Sequence, residues 1–473
     1  MDIHASKLHF IHFVGIKGVA MTALAVYCKE RGIAVTGSDV PEDFPTKQIL
    51  AHAGIIPLEG FSVDHIDTQV RPDLVIYTGA HQGRDNIEVK KAVAAGIPTL
   101  PHGKALGMIM EDSVQISVAG SHGKTTTSAM IATILVEAGK DPSYAIGCGT
   151  IFPIGAPGHF GKGNEFVAEA DEYVTDPGHD MTPRFLWQQP DILVVTNIDF
   201  DHPDAYENLK GVEDAFAKFS DKEKGMRMTI INADDPNSRS LQTYAKGEVF
   251  TYGVSRSADL QILDIQYGEG STMFHLSLRG TPVGEPMTLV IPGKHNVYNA
   301  CAAISACHAL GISWKHIQKG LSQFKGTKRR FEHLGTIHGM DFYDDYAHHP
   351  HEIEATLEGV RGWYPRRRVI AVFQPHTYSR TKALLLQFGK SFTHASVVCI
   401  ADIYASARET ETFGMTSKRV VEEIVKYKKD VWYVKDERGS QQFLEKHGRP
   451  LDIIIFMGAG DIYDWGKKIV KNL

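Results

Sequence analysis

The stretch Val114–Thr127, Val-Gln-Ile-Ser-Val-Ala-Gly-Ser-His-Gly-Lys-Thr-Thr-Thr, leaves this chain few architectures to choose from. A β-branched run ends at Ala119, a turn holding Gly120, Ser121, His122 and Gly123 follows, and Lys124 precedes hydroxyls that open the apolar-periodic stretch Ser128–Glu137. Strand, glycine turn, helix is the order that a phosphate cradle requires. Glycines let the backbone turn tightly and aim its N–H groups at anionic oxygens. The helix start adds a partial positive charge, Lys124 a full one, and Thr125 a hydroxyl placed for Mg²⁺. The stretch departs from G-x-x-x-x-G-K-[ST] at one point, where Val118 stands at the first glycine.

At 473 residues the chain exceeds one hydrophobic core, and roughly two to four domains are expected. A formal net charge of -6 and a pI near 6.4 argue against a nucleic-acid partner, which a basic face would announce. No run of about eighteen apolar residues predicts a membrane span. Residues 1–5 lack the basic and apolar regions of a secretory signal. The five cysteines are scattered without CxxC or finger spacing. Together these predict a reduced, cytoplasmic protein with no membrane partner.

Along the chain, Leu8–Val14 alternates as a strand, residues 15–20 form a turn, and Met21–Arg31 has helical spacing. Ile33–Asp39 is the next strand, which makes a βαβ unit of the dinucleotide-binding kind. Its glycine fingerprint is incomplete, with Lys17 at the second glycine position and Ala20 at the third. Asp39, ending its strand, binds a ribose or uracil or else caps a turn. Strands at Leu74–Thr78 and Ile97–Leu100 complete a first α/β domain, residues 1–108. The second, 109–325, holds the phosphate loop, the Glu165–Glu172 stretch and the apolar run Asp191–Ile198, followed by residues 199–203, Asp-Phe-Asp-His-Pro. Ligands of open α/β sheets sit beyond strand carboxyl ends, so Glu169 and His202 are expected to converge on the loop. Residues 248–292 read as a turn-rich β-meander and lead into an alanine-rich helix ending near Leu310. The third domain, 326–473, alternates strands at Arg368–Phe373, Ser396–Ala401 and Leu451–Phe456 with helices, one of them starting at Pro350.

Seven motifs occur in order: Gly120-Ser-His-Gly-Lys-Thr-Thr, Glu169-Ala-Asp-Glu, Thr196-Asn-Ile-Asp-Phe-Asp-His202, Gly293-Lys-His-Asn-Val-Tyr-Asn-Ala, Arg329-Arg-Phe, Asp344-Asp-Tyr-Ala-His-His-Pro and Gln374-Pro-His-Thr-Tyr-Ser-Arg-Thr381. With them the chain resembles the Mur ligases, the ATP-dependent amide-forming enzymes of peptidoglycan synthesis, over nearly its whole length. The resemblance implies a three-domain α/β architecture: a Rossmann-like N-domain for the UDP-sugar, a P-loop ATPase-like centre, and a Rossmann-like C-domain that closes over ATP and the amino acid. It implies that a substrate carboxylate attacks the γ-phosphate of ATP, and that an amine then displaces phosphate from the acyl phosphate. A carboxylate and a phosphate oxygen about 4 Å apart repel by roughly 4 kcal/mol at an effective dielectric of 20. Catalysis is therefore mainly positioning and charge neutralisation.

By the same resemblance, Gly120, Ser121, His122, Gly123, Lys124, Thr125, Thr126, Asn296, Asn299, Arg330 and Asp345 bind ATP. Thr125, Glu169 and His202 hold Mg²⁺, and Lys124, Glu169, His202, Arg330 and His348 form the catalytic set. Gly15, Lys17, Gly18, Ser38 and Asp39 contact UDP-N-acetylmuramate, while Tyr346, His348, His376 and Arg380 surround the incoming amino acid. L-alanine is the expected acceptor, with murein tripeptide as the alternative, in a monomer or homodimer. Within the pattern, Glu172 is either a second carboxylate beside the metal or a solvated residue. Four features depart from the expected pattern: Lys17, Pro101-His-Gly-Lys104, Thr377, and the longer segment 173–185. That segment is a local insertion if L-alanine is the acceptor, and part of a wider acceptor pocket if tripeptide is.

Overall fold

The structure, a computed structural model, describes residues 4–42, 44–200, 205–222, 225–405, 409 and 411–472. The chain divides into two compact units. One comprises Met1–Asp264, Phe274–Thr288 and Val297–Lys325; the other comprises Ile265–Met273, Leu289–Asn296 and Gly326–Leu473.

The first unit opens with a five-stranded parallel sheet in the order Leu58–Glu59, Ala34–Asp39, Phe10–Val14, Leu74–Tyr77, Thr99–Pro101. The order reverses beside Phe10–Val14, so the turn after Val14 opens at the switch point where doubly wound sheets bind ligands. Next comes a larger sheet with a parallel centre: Glu248–Gly253, Met228–Asn232, Ile192–Val195, Val114–Ala119, Glu165–Ala170 and Ser143–Ala145. Ile192–Val195 is buried at every position, as a strand covered on both faces must be. One continuous core joins Ile11, Phe13 and Leu24 of the first sheet layer to Ala145, Phe166 and Ala168 of the larger one. Residue 108 lies within the helix His102–Ile109, whose buried Leu106 and Ile109 belong to this shared core.

The expected meander of residues 248–292 needs correction at its start. Glu248–Gly253 is a parallel strand of the central sheet, delivered by the crossover Pro236–Thr243. The strands Leu260–Gly268, Ser271–Leu278 and Thr281–Pro282 then extend the sheet outward in sequence.

The second unit contains a six-stranded sheet in the order Glu332–Ile337, Met340–Asp345, Ile453–Met457, Val369–Phe373, Val397–Ala401, Val431–Lys435. All neighbours are parallel except the first pair. Both edge strands went unread in the sequence: Glu332–Ile337 has no fully buried position and Val431–Lys435 only one. Glu332–Ile337 also lacks the apolar run that marks a central strand.

Candidate functional site

The phosphate loop forms between the end of Val114–Ala119 and the helix Lys124–Glu137. Gly120 and Gly123 adopt φ of +138° and +85°, where side chains strain the backbone. A Cβ on Gly120 would lie 1.9 Å from Thr196 Oγ1, and one on Gly123 would lie 2.3 Å from Asn299 Oδ1. The neighbouring strand end holds the loop from behind. Asn197 Oδ1 accepts from the His122 amide at 2.9 Å, its Nδ2 donates to the His122 carbonyl at 2.9 Å, and Thr196 Oγ1 donates to that carbonyl at 2.6 Å. Ser121 Oγ donates to the Asp199 carbonyl at 2.9 Å.

Lys124 folds back over this loop. Its Nζ donates to the Gly120 carbonyl at 2.6 Å and to Glu172 Oε2 at 2.9 Å. Glu172 is 1% exposed, so the solvated reading of that residue is overturned. Burial alone would lower the lysine's pKa, but Glu172, Asp171 and Glu169 nearby outweigh it and raise the pKa. Glu169 Oε1 accepts from the Gly147 amide at 3.0 Å. Thr125 and Thr126 occupy the first turn of the helix. His202, the third expected metal ligand, lies outside the described residues.

At the first sheet's switch point, the Gly15 turn is pinned by its amide to the Ser38 carbonyl at 2.9 Å. A Cβ on Gly15 would come within 2.4 Å of Thr78 Cγ2. Asp39 holds the turn from the next strand. Its Oδ2 accepts from the Lys17 amide at 2.7 Å, and its Oδ1 lies 3.4 Å from His81 Nε2. Lys17 Nζ donates to the Val40 and Glu42 carbonyls, so its charge serves the strand end. Gly18 caps the helix Val19–Glu30. Ser38 is fully buried, and its hydroxyl donates to Glu88 Oε2 at 2.5 Å. His12, His65 and the Ser62 amide also meet the buried Glu88 carboxylate.

The second unit gathers the remaining expected residues around the N-terminus of the helix Pro350–Trp363. His349 and Glu352 form a capping box there. Glu352 accepts from the His348 amide at 3.2 Å and lies 3.6 Å from Arg330 Nη1, so it fixes two expected site residues at once. The Arg330 guanidinium sits 5.2 Å from the centre of the Tyr346 ring. Asp345 accepts from the Phe331 and Ala347 amides at 2.9 and 2.8 Å. Burial pushes its pKa up to about 6, against the opposing pull of Arg330. His348 and His376 meet edge to face at 6.3 Å, and burial together with His348 and Arg380 lowers the His376 pKa to about 4. Asn296, in this unit, donates to the Pro292 carbonyl at 2.6 Å; Asn299, on the same helix, belongs to the first unit.

Sequence reasoning omitted Glu352 and Glu88 from the site and left Glu172 open between a metal-side carboxylate and a solvated residue. Glu352 had a readable signal, standing third in a helix opened by His349-Pro350. Glu88 had none, because only tertiary packing reveals a buried carboxylate.

Three family models match the chain in order: the Mur ligase family catalytic domain at residues 10–113, the Mur ligase middle domain at 118–307, and the Mur ligase glutamate ligase domain at 329–460. The UDP-N-acetylmuramate–L-alanine ligase of Caldanaerobacter subterraneus is 39% identical over 475 residues, covering 100% of this chain and 99% of its own. The same-named enzyme of Desulfitobacterium hafniense is 40% identical over 462 residues, covering 97% and 99%. Among solved structures, the UDP-N-acetylmuramate-alanine ligase of Thermotoga maritima superposes with a TM-score of 0.80 at 26% identity, covering 98% of each chain. A murein peptide ligase from Psychrobacter arcticus shares the fold with a TM-score of 0.70 at 24% identity and the same coverage.

Proposed function

The chain belongs to the Mur ligase family, and from that premise we propose that it is an ADP-forming ligase joining L-alanine to UDP-N-acetylmuramate in peptidoglycan synthesis. The observation that carries this reading is end-to-end identity of 39–40% with ligases of that name. The expected location is the cytoplasm, where ATP is available. The reading assigns residues 1–108 to the sugar nucleotide, 109–325 to ATP, and 326–473 to the amino acid.

The phosphate loop suits a triphosphate because its glycines take positive φ and let the loop pack against Thr196 and Asn299, a tight turn that presents backbone N–H groups to anionic oxygens. Lys124 exchanges one anion for another. The carboxylate of Glu172 occupies its ammonium group before the nucleotide arrives, and phosphate oxygens take that place afterwards. The ammonium group of Lys124 thus has an anionic partner in both states. A hydroxyl and a carboxylate are hard donors suited to Mg²⁺; Thr125 and Glu169, with His202, would hold it. Magnesium, when bound, supplies charge neutralisation on the triphosphate. Arg330 steadies the transferring phosphoryl group, and Tyr346, His348, His376 and Arg380 orient the amine. His376, its pKa lowered to about 4 by burial and by His348 and Arg380, is neutral at pH 7 and adds no charge beside the incoming amine.

In this sequence a carboxylate oxygen attacks the γ-phosphorus and ADP leaves. The amine then attacks the acyl carbon, and the C–O bond breaks with that oxygen retained on phosphate. UDP-N-acetylmuramate labelled with ¹⁸O in its carboxylate is therefore expected to deliver one label to inorganic phosphate per turnover, read by mass spectrometry. Unlabelled phosphate alongside amide product would refute the acyl-phosphate route.

A further inference from the structure

Residues 173–185 contain a small hairpin of Val174–Asp176 against Asp180–Pro183. Its neighbours are those of the first sheet. Asp176, 1% exposed, accepts from the Arg84 amide at 3.1 Å, and a Cβ on Gly83 would collide with its Oδ1 at 2.0 Å. His179 Nε2 meets Asp85 Oδ2 at 2.7 Å. Lys104 pairs with Asp180 at 2.9 Å and sits 4.1 Å from the centre of the Trp187 ring. Trp187 Nε1 in turn donates to Thr175 Oγ1 at 2.9 Å. A Cβ on Gly79 would lie 2.9 Å from the Thr175 carbonyl, which leaves no slack between hairpin and loop.

The loop gripped in this way, residues 79–86, runs on from the strand Leu74–Tyr77 beside the switch point. It carries His81, whose Nε2 lies 3.4 Å from Asp39 Oδ1 and whose carbonyl accepts from Asn86 Nδ2 at 3.1 Å. Asp39 holds the Gly15 turn through the Lys17 amide. An unbroken series of contacts thus leads from the hairpin through the loop and Asp39 to the glycine turn.

We propose that the 173–185 hairpin is a strut that positions the 79–86 loop and Asp39, and so sets affinity for the sugar nucleotide rather than for the amino-acid acceptor. This rests on the ligase reading above. Asp176 is its central positioning residue. The physical reason is preorganisation: a loop held before binding loses less freedom when the nucleotide orders it. The hairpin and Lys104 are two sides of one contact.

Steady-state kinetics on the full chain test the strut. Asp176→Asn keeps the shape but removes the charge, and the double variant Lys104→Ala/His179→Ala releases two partly exposed pairs without emptying the core. Asp176→Asn is expected to raise KM for UDP-N-acetylmuramate about tenfold, and the double variant about threefold. In both, kcat and the KM values for ATP and L-alanine should change by less than twofold. An unchanged sugar-nucleotide KM in the double variant, or a rise confined to the L-alanine KM, overturns the proposal. Should Asp176→Asn fail to fold, the double variant alone decides. Wild-type enzyme that turns over no UDP-N-acetylmuramate refutes the ligase reading and the strut together, whereas normal wild-type turnover with unaltered variants refutes the strut alone.

Discussion

Lys124→Met is expected to lower kcat/KM by about a thousand-fold or more, and to destabilise the protein at the same time. The catalytic loss follows from removing the only full positive charge carried by the phosphate loop. Preorganised charges and donors in such sites are worth about a hundred- to a thousand-fold each. The stability loss has a separate cause. Glu172 is 1% exposed and paired with Lys124 at 2.9 Å, and breaking a buried pair by deleting one partner costs roughly 3–5 kcal/mol. The double variant Lys124→Met/Glu172→Gln removes both charges and is expected to regain most of that stability while remaining inactive. Denaturant unfolding and phosphate-release assays on the four members of this cycle separate folding from chemistry. Recovery of activity in the double variant would show that Lys124 serves only to neutralise Glu172.

Gly120→Ala is the second large effect. At φ +138° a Cβ would meet Thr196 Oγ1 at 1.9 Å, with the Asn197 carbonyl and amide at 3.1 and 3.2 Å behind it. Two of those three atoms are backbone of the central strand's end and cannot swing aside, so the loop itself must move. A displaced loop misaims its N–H groups, and ATP affinity measured by calorimetry should fall at least a hundred-fold. Gly139→Ala separates strain from contact. It has φ +70° at the far end of the same helix and nothing within 4 Å of its Cβ. It should cost about 1 kcal/mol of stability, the scale of a left-handed side-chain conformation, and leave ATP binding intact. Equal losses of binding in both variants would locate the effect in general instability.

The glycine-lysine-hydroxyl loop was legible in the sequence because its chemistry and its backbone requirements coincide in seven consecutive residues. The parallel strands were legible because strands buried on both faces must be apolar throughout, as Ile192–Val195 and Ile453–Met457 are. Burial of polar groups was not. Ser38 was expected at the UDP-sugar strand end; its hydroxyl donates to Glu88, a carboxylate fifty positions later that nothing local marks as buried. Lys17 was expected at the UDP-sugar loop, and the structure places its ammonium group against the Val40 and Glu42 carbonyls. The 173–185 segment was expected either as a local insertion or as part of a wider acceptor pocket. Its ion pairs to Lys104 and Asp85 tie it to the first sheet's loops, and pairings across 76 and 94 positions leave no local pattern to read.

The most direct test of the central claim is phosphate release by the purified chain with ATP, Mg²⁺ and UDP-N-acetylmuramate, with L-alanine, L-serine, glycine and murein tripeptide compared as acceptors. The account predicts a kcat/KM for L-alanine at least a hundred-fold above that for tripeptide, with one phosphate released per amide formed. A preference for tripeptide would contradict it and reassign the chain to cell-wall recycling.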